Sequence, residues 1–100
     1  MISYIDKPFC VRVVRGEIVV KNTPDALVGA IVQIRGPAEA RRISATKTDR
    51  RGHFRITRVP QGKYAFKATL LGFQSVVGTI IVSNQAPKDS AIRIGMPAGV

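Results

Sequence analysis

Apolar and polar residues alternate in short runs along the whole chain, and no stretch keeps the three-to-four-residue spacing of an amphipathic helix. The first run, Phe9 to Val20, puts Val14, Gly16, Ile18 and Val20 on one face. The adjacent pair Val13-Val14 breaks its alternation and predicts a bulge or bend there. A second run, Leu27 to Arg35, sets Ala30, Val32 and Ile34 against Gly29, Ile31, Gln33 and Arg35. The third, Arg42 to Thr48, is more polar and reads as an edge strand whose Arg and Lys discourage further pairing. Phe54 and Ile56 point inward in the fourth, with His53, Arg55 and Thr57 outward. The fifth places Tyr64, Phe66 and Ala68 opposite Lys63, Lys67 and Thr69. A sixth covers Val76 to Val82, and the last, Ala91 to Met96, turns Ile92, Ile94 and Met96 inward.

Turn chemistry separates these runs. In Asn22-Thr23-Pro24-Asp25 the proline sets φ and the flanking side chains bond to nearby backbone. Asp49-Arg50-Arg51-Gly52 predicts a hairpin loop, with Gly52 supplying a positive φ. Pro60-Gln61-Gly62, Leu71-Gly72-Phe73 and the stretch from Ser83 to Asp89 turn the chain again. Short strands at intervals of roughly ten residues predict an all-β, seven-stranded, two-sheet sandwich. One domain spans 1–100, with 1–9 as an N-terminal extension and 97–100 as a C-terminal tail.

Composition supports strands and adds a charge to explain. Val, Ile and Ala dominate the apolar share, and there is no Trp. Sixteen Lys and Arg against six acidic residues give a net charge of +10. Such a field concentrates anions: nucleic acid, acidic polysaccharide, an anionic membrane surface or an acidic neighbouring domain. The lone Cys10 excludes an internal disulfide, and its neighbours Phe9 and Val11 predict a buried, inert thiol. The opening residues do not read as a secretory signal, because Asp6-Lys7-Pro8 falls where an apolar stretch is needed. No apolar run is long enough to span a bilayer as a helix. The expectation is a cytoplasmic protein or a domain taken from a longer exported chain.

Several pieces line up in one order. They are Gly16-x-Ile18, Leu27-Val28-Gly29-Ala30-x-Val32-x-Ile34, then Thr48-Asp49-x-x-Gly52-x-Phe54-x-Ile56-x-x-Val59-Pro60-x-Gly62-x-Tyr64, and finally Gly72-Phe73. Over about Val14 to Met96 the chain resembles the carboxypeptidase regulatory-like domain, a transthyretin-like (prealbumin-like) Greek-key sandwich of the carbohydrate-binding-like kind. The stretch from Asp49 to Tyr64 is the specific part. The resemblance implies that Gly29, Asp49, Gly52, Phe54, Pro60, Gly62, Tyr64 and Gly72 specify the fold, with the Tyr64 hydroxyl anchored to backbone as in a tyrosine corner. It also implies a bacterial, surface, periplasmic or extracellular accessory domain, acting by protein contact or as a spacer, and no peptidase chemistry. Its partner is then another protein or the parent multidomain chain.

Candidate chemistry is sparse. His53 is the only histidine, and alternation turns it outward, away from any triad with Ser44 and Asp49. One His, one Cys and scattered carboxylates predict no metal site and no cofactor. The reading is of a non-enzyme. The distinctive surface is the basic segment 41–58, whose Arg41, Arg42, Lys47, Arg50, Arg51, Arg55 and Arg58 face only Asp49. As a hairpin it is a candidate site for a carbohydrate or anionic polymer, non-specific nucleic acid included, because guanidinium groups pair bidentately with oxyanions. Oligomeric state is left open by the sequence.

Overall fold

A computed structural model describes residues 2–36 and 43–99, with the backbone alone at residue 43. Among them run nine strands and no helix: β1 (Ile2–Tyr4), β2 (Phe9–Val11), β3 (Val14–Val20), β4 (Ile31–Arg35), β5 (Ile43–Lys47), β6 (His53–Ile56), β7 (Gly62–Thr69), β8 (Ser75–Val82) and β9 (Ile92–Met96). The larger sheet has the order β1-β8-β7-β4-β5, with β2 also on β8; the smaller is β6-β3-β9. The expected two-sheet sandwich is present. The two strands beyond the expected seven are β1 and β2, each three residues long.

β1 lies in the stretch read as an extension, and β2 opens the run read as a single strand from Phe9 to Val20. Both run parallel to β8, β1 beside Ser75–Val77 and β2 beside Ile80–Val82. The chain then leaves the larger sheet at Arg12-Val13 and enters the smaller as β3, so the predicted bend is a change of sheet. Val11 and Val14 on either side of it are both fully buried. The crossing is held by Arg12, whose amide donates to Ser90 Oγ and whose Nε donates to Ala86 O. Cys10 corrects an expectation. Phe9 and Val11 turn inward along β2, which leaves the thiol between them exposed rather than buried.

Inward residues of the two sheets meet as alternation predicts. Val32 and Ile34 of β4, Tyr64, Phe66 and Ala68 of β7, and Val76, Ile80 and Val82 of β8 face Val14, Ile18, Phe54, Ile56, Ile92, Ile94 and Met96. The largest fully buried side chains are Ile, Val and Met. Burial of each is worth about 1.5–3 kcal/mol, so the core rests on many aliphatic contacts rather than an aromatic centre. β5 lies at the edge of the larger sheet, as its polar sequence implies.

The segment after β5 departs from the reading of a hairpin. β5 pairs with β4, whereas β6 pairs antiparallel with β3 in the other sheet. The loop between them is therefore an arch that joins the layers. Its local bonds are still those of a tight turn: Asp49 N donates to His53 O, and Gly52 N to Asp49 O.

Candidate functional site

The arch is built from the residues that begin the distinctive motif. Thr48 leaves β5 buried, and its hydroxyl donates to Leu27 O at 2.6 Å and accepts from Ala30 N at 2.9 Å. Asp49 Oδ1 accepts from Arg51 N at 2.8 Å and His53 N at 3.0 Å. Gly52 then turns at φ 75°, and a Cβ there would press on Ile18 O. Beyond Phe54, Tyr64 closes the next corner by donating its hydroxyl to Pro60 O at 2.7 Å. Gly29 and Gly72 sit at positive φ in other turns, and Gly62 opens β7.

The two amide donors, that of His53 foremost, hold the Asp49 carboxyl below its ordinary value of 3.8. Its folded pKa is depressed, so its stabilisation is complete above the unfolded value of about 3.9 and disappears as pH falls through the lowered folded value. Asp49→Asn keeps an acceptor oxygen but does not titrate. Wild type is expected to be the more stable at neutral pH, with the gap closing below about pH 4. Urea titrations at several pH values check this, and a gap constant with pH would refute it.

The structure scatters the basic residues of 41–58. Arg50 and Arg51 are exposed on the arch, Lys47 at the end of β5, Arg55 on the outer face of the smaller sheet, and Arg58 past β6 at φ 60°. Arg41 and Arg42 lie outside the described residues. Pairing of β3 with β6 brings in residues remote in sequence. Arg15 stands opposite Arg55, and Glu17 opposite His53. On the other side of β3, Glu17 is level with Arg93. Arg93 Nη1 donates to Glu17 Oε1 at 2.9 Å, and His53 Nε2 lies 3.9 Å from Glu17 Oε2. A shallow depression of about 610 Å³ covers this face, lined by Arg15, Lys47, Asp49, Arg55, Ala91 and Arg93 among others.

Arg15, Glu17 and Arg93 escaped a search along the sequence because their part depends on which strands pair. The available signal was their outward place in the alternation of β3 and β9. Among the described residues no group of three His, Cys, Asp or Glu is placed to hold a metal ion. No helix there is long and apolar enough to cross a membrane.

Two aliphatic-cored sheets joined by an arch and closed by a tyrosine corner define a β-sandwich module whose motif residues serve the scaffold. The chain belongs to the carboxypeptidase regulatory-like domain family, whose model matches residues 13–96. No curated protein matches it significantly.

Proposed function

We propose that this is a non-catalytic accessory domain, free-standing or within a larger surface protein, that acts through protein contacts or as a spacer. The observation that carries this reading is how the motif residues are used. Asp49, Gly52, Phe54, Pro60 and Tyr64 are committed to backbone bonds, turns and core. The folded chain is expected to turn over no peptide, ester or glycoside substrate. Stoichiometric hydrolysis that a point substitution abolishes would overturn the proposal.

A second reading, binding of an anionic polymer through the basic segment, is favoured by the exposure of Lys47, Arg50, Arg51, Arg55 and Arg58. It predicts that Arg50→Ala with Arg51→Ala weakens binding of a heparin-type oligosaccharide or a DNA oligomer. A nucleic-acid interaction would in addition weaken steeply with salt.

A further inference from the structure

The outer face of the smaller sheet carries one row of charges that is internally balanced and one that is not. Ile18 N bonds to Gly52 O, which extends the β3–β6 register as a hydrogen-bonded pair. Two residues further along, Gly16–Phe54 is hydrogen-bonded in turn, so the intervening pairs Glu17–His53 and Arg15–Arg55 are of the non-hydrogen-bonded kind. In such pairs the Cα atoms approach to about 4.5 Å and the side chains lie closest. The Glu17 row is compensated, its carboxylate lying between Arg93 and His53. The Arg15 row sets two arginines directly opposite each other at the edge of one depression, and among the described residues neither meets a carboxylate within ion-pair distance. Asp49 lines the same depression, but its Oδ1 is engaged by two backbone amides.

Like charges directly opposite on a sheet oppose folding, and this pair stands in a concave surface. Ala91, just before β9, adds only a methyl group to the lining and leaves room above the third strand. We propose that Arg15 and Arg55 form a clamp for a single tetrahedral oxyanion, the phosphate or sulfate group of a monoester, with Lys47 at the rim. Two planar guanidinium forks match the edges of a tetrahedral oxyanion, and a dianion neutralises both. The site shares only its ligand chemistry, and Lys47 and Arg55, with the second reading above. It is independent of the accessory role.

The test is an NMR titration of the 100-residue chain with sodium sulfate, and separately phosphate, at constant ionic strength held with sodium chloride. Saturable shifts are expected at the Arg15 and Arg55 side-chain N–H groups and at the amides of Gly16 and Phe54. Arg15→Ala and Arg55→Ala are each expected to weaken binding about tenfold or more, as loss of a charge-assisted contact does. The Arg50→Ala, Arg51→Ala double variant is expected to stay within about twofold of wild type. Sulfate should also raise the melting temperature over chloride by more in wild type than in Arg15→Ala, the difference being the site-specific part. Non-saturable shifts overturn the clamp. So does binding that depends on Arg50 and Arg51 but not on Arg15, which would leave the basic-segment reading standing. Glucose 6-phosphate and glucose 6-sulfate then separate the two ester sources by affinity.

Discussion

Gly16→Ala is expected to cost about 3 kcal/mol or more, enough to unfold much of the population of a domain with ordinary stability. The cause is a close approach of backbone, since Gly16 is absent from the positive-φ positions. It sits level with Ile92 where β3 and β9 run parallel. A Cβ at Gly16 would overlap Ile92 O and lie within 3 Å of Ile92 C and Cα. No rotamer relieves this, because the obstructing atoms are main chain. The strands must separate, and β9 carries Ile92, Ile94 and Met96, all essentially inaccessible to solvent. Equilibrium unfolding in urea measures the loss. Gly29→Ala is the contrast: its φ of 79° strains any side chain, but nothing lies within 4 Å of its Cβ. Only the cost of that conformation is then expected, about 1 kcal/mol. A Gly16→Ala protein within about 1 kcal/mol of wild type would show that the strands yield easily.

That contrast also marks how far the sequence could be read. Gly16 stands in the predicted inward series with Val14 and Ile18, so its face was legible, but the strand lying against it was not. Alternation reports faces, and faces decide the core: Val32, Ile34, Phe54, Ile56, Tyr64, Phe66, Ile92 and Ile94 are all buried as their positions imply. Pairing depends on contacts between distant segments, which local chemistry does not encode. Asp49-Arg50-Arg51-Gly52 makes the same short-range bonds whether its strands continue together or part, so a hairpin and an arch look alike from within the loop.

The candidate site was lost at the same step. A search for charge along the chain finds 41–58, because those residues are consecutive. The clamp joins one of them to Arg15, which lies forty residues away in sequence and meets Arg55 only through the β3–β6 register. Cys10 failed for a simpler reason: apolar neighbours in sequence do not share its face of the strand.

Thr48→Val is the second substitution expected to have a large effect, about 2–4 kcal/mol, although it preserves shape and removes no charge. Thr48 is the buried polar side chain of the described core, at 5% exposure. Its hydroxyl gives its proton to Leu27 O and receives the Ala30 N–H. The main chain of Thr48 adds to this anchoring, with Gly29 N donating to Thr48 O and Thr48 N to Ala30 O. Valine leaves one buried carbonyl and one buried amide without partners, and each such loss costs about 1–3 kcal/mol. Thr48→Ser separates hydrogen bonding from packing: it restores both bonds, gives up one methyl, and is expected to cost about 1 kcal/mol. Hydrogen exchange at the Ala30 amide supplies the local readout, accelerating in the valine protein well before global unfolding and staying slow in the serine protein. If serine proves as damaging as valine, the methyl group and not the hydroxyl holds the arch. The bonds matter beyond stability because Thr48 fixes the point where the chain leaves β5. From there Asp49 and Gly52 deliver β6 to β3, and Arg55 to its place opposite Arg15.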